Sequence, residues 1–137
     1  MQILSSLLCD HAADYQGKLC VMGAFDTIRV ARFPSVYPHC SLALRLLFRP
    51  GDEGEHRFEF IFIDPDGNKI LPGSGGPAFN FTLKGFPENR YFVSQNFVIN
   101  LQGLPIPRPA CYYFDLRHNG EIVARIPLLA QEASVNQ

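Results

Sequence analysis

Phe58, Phe60 and Phe62 occupy every second position of "RFEFIFID", and Leu42, Leu44, Leu46 and Phe48 do the same in "SLALRLLFR". Period two is the repeat of a pleated strand, whose successive side chains point to opposite faces. No apolar run of helical period and useful length accompanies these stripes. Short apolar blocks are instead punctuated by 11 Gly and 11 Pro, the pattern of strands closed by turns. Strands are expected at Ile3–Cys9, Lys18–Val30, Cys40–Arg49, Glu55–Asp64, Lys69–Leu71, Ala78–Leu83, Tyr91–Leu101, Ala110–Arg117 and Glu121–Leu129. Seven to nine such strands specify an all-β chain, an antiparallel β-sandwich of immunoglobulin-like or related Greek-key topology. One short helical turn is expected at His11–Tyr15, with Asp10 as its N-cap.

The stripes need a core, and the chain is long enough for one. At 137 residues a domain buries roughly 68–70% of its unfolded surface without disulfide staples. No linker or repeat divides it, so 1–137 is read as a single domain, with 131–137 as a disordered tail. Apolar residues make up 47% of the chain and charged residues 18%, a globular composition. The formal net charge of −1 and the scattering of Lys and Arg speak against a nucleic-acid partner. No run approaches the roughly 18 apolar residues of a membrane span. "MQILSSLLCD" has an apolar stretch before Cys9, but no Lys or Arg precedes Lys18 and Leu8 stands where a cleavage site wants a small residue. A first β-strand is expected there. Cysteines at 9, 20, 40 and 111 show no metal-ligand spacing, so they are read as reduced, mostly buried hydrophobes of a cytoplasmic protein.

Two hairpins are readable in detail. In "YYFDLRHNGEIVARI" a two-residue loop at Asn119-Gly120 would oppose Phe114 to Arg125 and mix both faces. A three-residue loop, His118-Asn119-Gly120 with Gly120 left-handed, opposes Leu116 to Ile122, Phe114 to Ala124, Tyr112 to Ile126 and Arg117 to Glu121. The buried face favours the second register. In "FIFIDPDGNKIL" a type I turn at Pro65-Asp66 with Gly67 left-handed pairs Phe62 with Ile70. That turn also accounts for "DPDGN", which lacks the spacing and the closing Glu of an EF-hand calcium loop.

The candidate binding residues are Asp10, His11, Asp26 and Arg45. Asp10, His11 and Asp14 lie within "CDHAADYQGK", where a carboxylate beside an imidazole can hold a ligand or share a proton; capping by Asp10 and a turn at Gln16-Gly17 explain the same residues structurally. Asp26 in "GAFDTI" interrupts an apolar strand, and a buried carboxylate there requires a partner such as Arg29, Arg32 or Arg45. No catalytic residue, metal ligand set or cofactor motif is assigned: G-x-S-x-G, the phosphate loop and H-E-x-x-H are missing. "GSGG" at Gly73–Gly76 opens no helix and is read as a flexible loop.

The runs "LLCDHAADYQGKLCVMGAFDTI", "PHCSLALRLLF", "GEHRFEFIFIDPDG" and "INLQGLPIPRPACYYFDLRHNGEIVARIPL" resemble a family of short bacterial proteins known as a domain of unknown function. The resemblance covers nearly the whole chain, with Asp10, Gly17, Lys18, Gly23, Phe25, Asp26 and Thr27 matching the family pattern. It implies a small stand-alone β-rich protein and carries no residue role. The expected function is a non-enzymatic binding or assembly module with a protein partner or a second copy, joined through the apolar "IPLLAQ" segment. The alternatives are small-molecule or carbohydrate binding in a loop-lined cleft, or a metal-dependent enzyme.

Overall fold

The two stripes face each other across one core. The computed structural model describes residues 1–73, 75–86 and 88–134. Leu42, Leu44, Leu46 and Phe48 lie on β4 (Ser35–Phe48), Phe58, Phe60 and Phe62 on β5 (Gly54–Ile63), and all seven are fully buried. Burying each contributes roughly 1.5–3 kcal/mol before chain entropy is set against it. β4 belongs to a four-stranded sheet with β1 (Gln2–Tyr15), β2 (Lys18–Ala24) and β7 (Val93–Ile106), in the order β2-β1-β4-β7. β5 belongs to a five-stranded sheet with β3 (Thr27–Val30), β6 (Ala78–Leu83), β8 (Ala110–His118) and β9 (Glu121–Glu132), in the order β3-β9-β8-β5-β6. The result is an all-β sandwich.

The β8–β9 hairpin departs from the expected register. Asn119 (φ 48°) and Gly120 (φ 89°) form a two-residue loop, and His118 opposes Glu121. Two left-handed residues twist in the sense the flanking strands require. Asn119 is also tied to β5, since its N–H donates to the Arg57 carbonyl (2.9 Å) and its Oδ1 accepts from the Arg57 N–H (2.9 Å). The phase is then corrected by a bulge: Arg117 opposes Ile122, yet Leu116 opposes Ala124. One extra residue inverts the alternation, so Phe114 meets Ile126 and Tyr112 meets Leu128. Ile122, expected inside, is 52% exposed. Arg117 forms no pair with Glu121; its buried Nε has no hydrogen-bond partner among the described residues. The "DPDGN" turn is as expected, with Gly67 at φ 84° and the Ile70 N–H donating to the Phe62 carbonyl at 2.9 Å.

Further expectations are corrected. No helical turn forms at His11–Tyr15; β1 continues through it and turns at Gln16-Gly17 into β2. The segment Lys18–Val30 is not one strand: it breaks at Phe25-Asp26, and β3 crosses to the other sheet to pair parallel with β9. That pairing uses the C-terminal apolar run, because Leu128 is buried opposite Tyr112 and Leu129 aligns with Thr27. "IPLLAQ" is therefore an interior ladder, and β9 extends into the expected tail as far as Glu132; 135–137 lie outside the described residues. Lys69–Leu71 makes a single bridge, Lys69 to Ile63. Of "GSGG", Ser74 lies outside the described residues, while the Gly75 carbonyl accepts from the Phe62 N–H at 3.0 Å, so its described part is bound to β5.

Candidate functional site

β1 pairs with β4 from Gln2 to Cys9, and beyond Cys9 only with β2. The far end of this β1–β2 hairpin meets strands that in-plane pairing would hold away from it. Gly17, in its turn, accepts from Arg45 on β4 (3.0 Å) and from Asn96 on β7 (3.2 Å), and Asp14 accepts from the same Asn96 amide (2.8 Å). The hairpin therefore leaves the sheet plane as an arm and crosses the outer face of β4. Ser41 and Ala43, small side chains on that face, are fully buried. The kink falls where Gly23 takes φ 70° and the Asp10 carboxylate occupies the space of a β-carbon, with Oδ2 2.5 Å from that position. Only glycine admits both the backbone and the carboxylate.

At the base of the arm, Asp10, His11, Met22, Tyr37, Pro38 and His39 line one groove. His11 and His39 each lie two residues beyond the Cys9–Ser41 pair, and their ring centroids are 5.1 Å apart. Met22 aligns with His11 across the arm. Burial, followed by the Asp10 charge, raises the Tyr37 hydroxyl above its usual range. Burial first, then Cys9, pushes the Cys40 thiol up to about 11. Cys9 and Cys40 are buried, but Cys20, expected inside, is exposed on the arm.

The structure brings Asp10 and His11 together and places the other two candidates elsewhere. Arg45 clamps the arm: besides Gly17, it donates to Asn96 Oδ1 (2.8 Å) and Ser94 Oγ (3.0 Å). Asp14 completes the clamp, its carboxyl held below the usual range by the Asn96 amide and then the Gly17 N–H. Asp26 is exposed at the crossover, where its carboxylate accepts from Thr27 Oγ1 (2.8 Å) and its carbonyl from the Leu129 N–H (2.7 Å). The expected buried bridge to an arginine is not formed, because the strand break carries Asp26 to the surface. Its groove is a separate one, shared with Ser6, Phe25 and Arg125. A carboxylate that is buried against an arginine in the way expected of Asp26 is Asp115, gripped by Arg125 at 2.6 and 2.9 Å.

A second imidazole pair, outside the sequence-based candidates, lies between β5 and β8. His56 Nδ1 and His118 Nε2 are 2.7 Å apart, and His56 Nε2 is 2.7 Å from the Asp52 carbonyl. A carbonyl accepts only, so His56 Nε2 carries a proton, and in the neutral ring its Nδ1 accepts from His118 Nε2. Burial, then the neighbouring His56, lowers the His118 pKa. Position 56 shares the parity of Phe58, Phe60 and Phe62, and 118 that of Tyr112, Phe114 and Leu116, so the same stripes that placed the core point both rings inward.

Among the described residues no three His, Cys, Asp or Glu side chains gather as a metal set. In "DPDGN", Asp64 Oδ1 accepts from the Asp66 and Asn68 N–H groups, both at 2.9 Å, and Arg108 lies within 3.7 Å of its other oxygen. The Asp64 carboxylate is occupied by the turn. No helix of the described residues is long and apolar enough to cross a membrane. No curated protein and no solved structure matches the chain. Its sequence from 4 to 131 does match one family model, and the chain belongs to that family, DUF6941, a family of unknown function.

Proposed function

We propose that the protein is an immunoglobulin-like binding or assembly module without catalysis, and that it associates with a second copy of itself along β7. The strand order supports the topology: β1, β4 and β7 take the positions of A, B and E, and β9, β8, β5 and β6 those of G, F, C and C′. β3, parallel to β9, stands where the first strand of such domains switches sheets. Tyr112, near the start of β8, bonds back to the Arg108 main chain as a tyrosine corner does. The polar candidates at Arg45 and Asp14 are engaged in holding the arm, which favours a structural role for them. All four cysteines are free, Cys9 and Cys40 on adjacent strands included, which favours a reducing, cytoplasmic setting.

One observation carries the assembly reading. β7 is an edge strand of 14 residues without a single Lys, Arg, Asp or Glu, and its one proline, Pro105, stands next to its last residue, whereas strands average about 5–6 residues and natural edges are blunted by charge, proline or brevity. Among the described residues its main chain pairs with β4 alone. Phe97, Ile99 and Leu101 on it are only half-buried, and Phe97 lies against Phe79 (4.7 Å) and Phe81 (5.6 Å) of β6, the edge of the facing sheet. An antiparallel pairing of β7 with itself obeys a two-fold axis and sets each residue opposite a mate. Centred on Val98, it opposes Phe97 to Ile99 of the partner subunit and Asn96 to Asn100 of the partner subunit, with no like charges facing. Light scattering across a concentration series should show a dimer that Val98→Lys dissociates while strand content is kept. A wild-type monomer at every concentration would refute the reading.

A further inference from the structure

We propose that the groove at the base of the arm is a binding site for a soft monovalent cation, Cu(I) or Ag(I), held by His11, His39 and Met22. Four observations converge. The two imidazoles lie 5.1 Å apart between centroids. An ion about 2.0 Å from a ring nitrogen sits about 3.2 Å from that ring's centroid, so two imidazoles on one ion at a tetrahedral angle have centroids about 5.2 Å apart. Neither ring has a hydrogen-bond partner among the described residues, in contrast to His56 and His118, so their nitrogen lone pairs are free to bind. Met22 is the register partner of His11 and lines the same groove.

The fourth observation is the exposure of that methionine. Met22 is 70% exposed, although methionine is among the side chains most often buried. A thioether displayed beside two unpartnered imidazoles has a use as a third donor. The donor set then selects the ion. Thioether sulfur and imidazole nitrogen suit Cu(I), while hard cations require carboxylate and carbonyl oxygen. The nearby carboxylate, Asp10, is turned onto Gly23, where it contributes negative charge at the rim. Zn(II) would find two nitrogens and a ligand for which it has little preference. No covalent or redox step is involved; binding exchanges the solvent ligands of the ion for two nitrogens and one sulfur.

The test is competition for Cu(I) held by bicinchoninate under argon, using the full chain. Cys20, exposed on the same arm, is a rival soft ligand, so the measurement is made in parallel on wild type and Cys20→Ser. Both proteins should withdraw one Cu(I) per chain and shift the ring proton resonances of His11 and His39 and the methyl resonance of Met22. His11→Ala and His39→Ala should each abolish the transfer, and Met22→Leu should weaken it while leaving Zn(II) retention unaltered. All three side chains lie at the surface of the groove, and unchanged amide spectra elsewhere will show that the fold is intact. Loss of Cu(I) binding in Cys20→Ser, or its persistence in both histidine variants, would overturn the proposal.

Discussion

Tyr112→Phe removes one oxygen from a fully buried side chain and nothing else. That hydroxyl donates to the Arg108 carbonyl at 2.6 Å and accepts from the Arg108 N–H at 3.0 Å. Pro107 and Pro109 flank Arg108 and supply no N–H of their own, so the hydroxyl holds the sole main-chain donor of the β7–β8 connection. Each such bond contributes about 0.5–1.5 kcal/mol net, and more if its partner is left buried and unsatisfied. Arg108 itself is exposed, so water replaces part of what is lost, and two bonds give a cost of about 1–2 kcal/mol. For a domain of this size that lowers Tm by about 3–7 °C. Urea unfolding should show a lower midpoint with an unchanged m-value, since the surface exposed on unfolding is the same. Tyr91→Phe, at a residue 89% exposed, should stay within about 0.5 kcal/mol of wild type. Equal stabilities for the two variants, or an altered m-value in the first, would refute the reasoning.

Three other outcomes are expected. Gly76→Ala would put a β-carbon on the Phe60 carbonyl oxygen and should cost about 3 kcal/mol, against about 1 kcal/mol for Gly17→Ala, where space is open and only φ 80° resists; denaturant midpoints will rank them. Because burial and His56 lower the His118 pKa, the unfolded chain binds more protons below about pH 6.5, so stability is fully present above that pH and falls as acid is added. His118→Gln should flatten the loss that sets in below about pH 6.5, leaving the carboxylate losses, such as that of Asp14, at lower pH. A thiol-specific reagent should modify exposed Cys20 in the native protein and spare Cys9 and Cys40 until unfolding; rapid reaction of all four would contradict the buried assignment.

How far the fold was legible follows from what alternation can encode. The stripes at Leu42–Phe48 and Phe58–Phe62 specified strands, faces and core, because period two leaves no other structure in which they are all buried. The β8–β9 register was not legible, since a bulge at one residue inverts every side chain after it and leaves no mark in composition. The Asn119-Gly120 turn is the better guide to the register than uninterrupted alternation, because its two left-handed residues specify a two-residue loop. The strand break at Phe25-Asp26 shows in the sequence as a misplaced carboxylate, which a buried bridge or exposure would each accommodate; the fold uses exposure. The arm could not be foreseen: Ala12, Ala13 and Cys20 carry little polarity contrast, and the contacts that fold it over, Arg45 to Gly17 and Asn96 to Asp14, join residues 28 and 82 positions apart. His56 and His118 are legible from parity alone, since each ends an apolar stripe, whereas Asp26 interrupts one.

Hydrogen exchange along β7 tests the assembly reading most directly. In a monomer, the amides of β7 that point away from β4 have no acceptor among the described residues and exchange at solvent-limited rates, while the alternate amides bonded to β4 are protected. If β7 pairs with a second copy, the outward amides between Val93 and Leu101 gain protection as protein concentration rises, and Val98→Lys removes that gain without affecting the β4-bonded set. Outward amides that exchange freely at every concentration, in a protein whose β4-bonded amides remain protected, would contradict it.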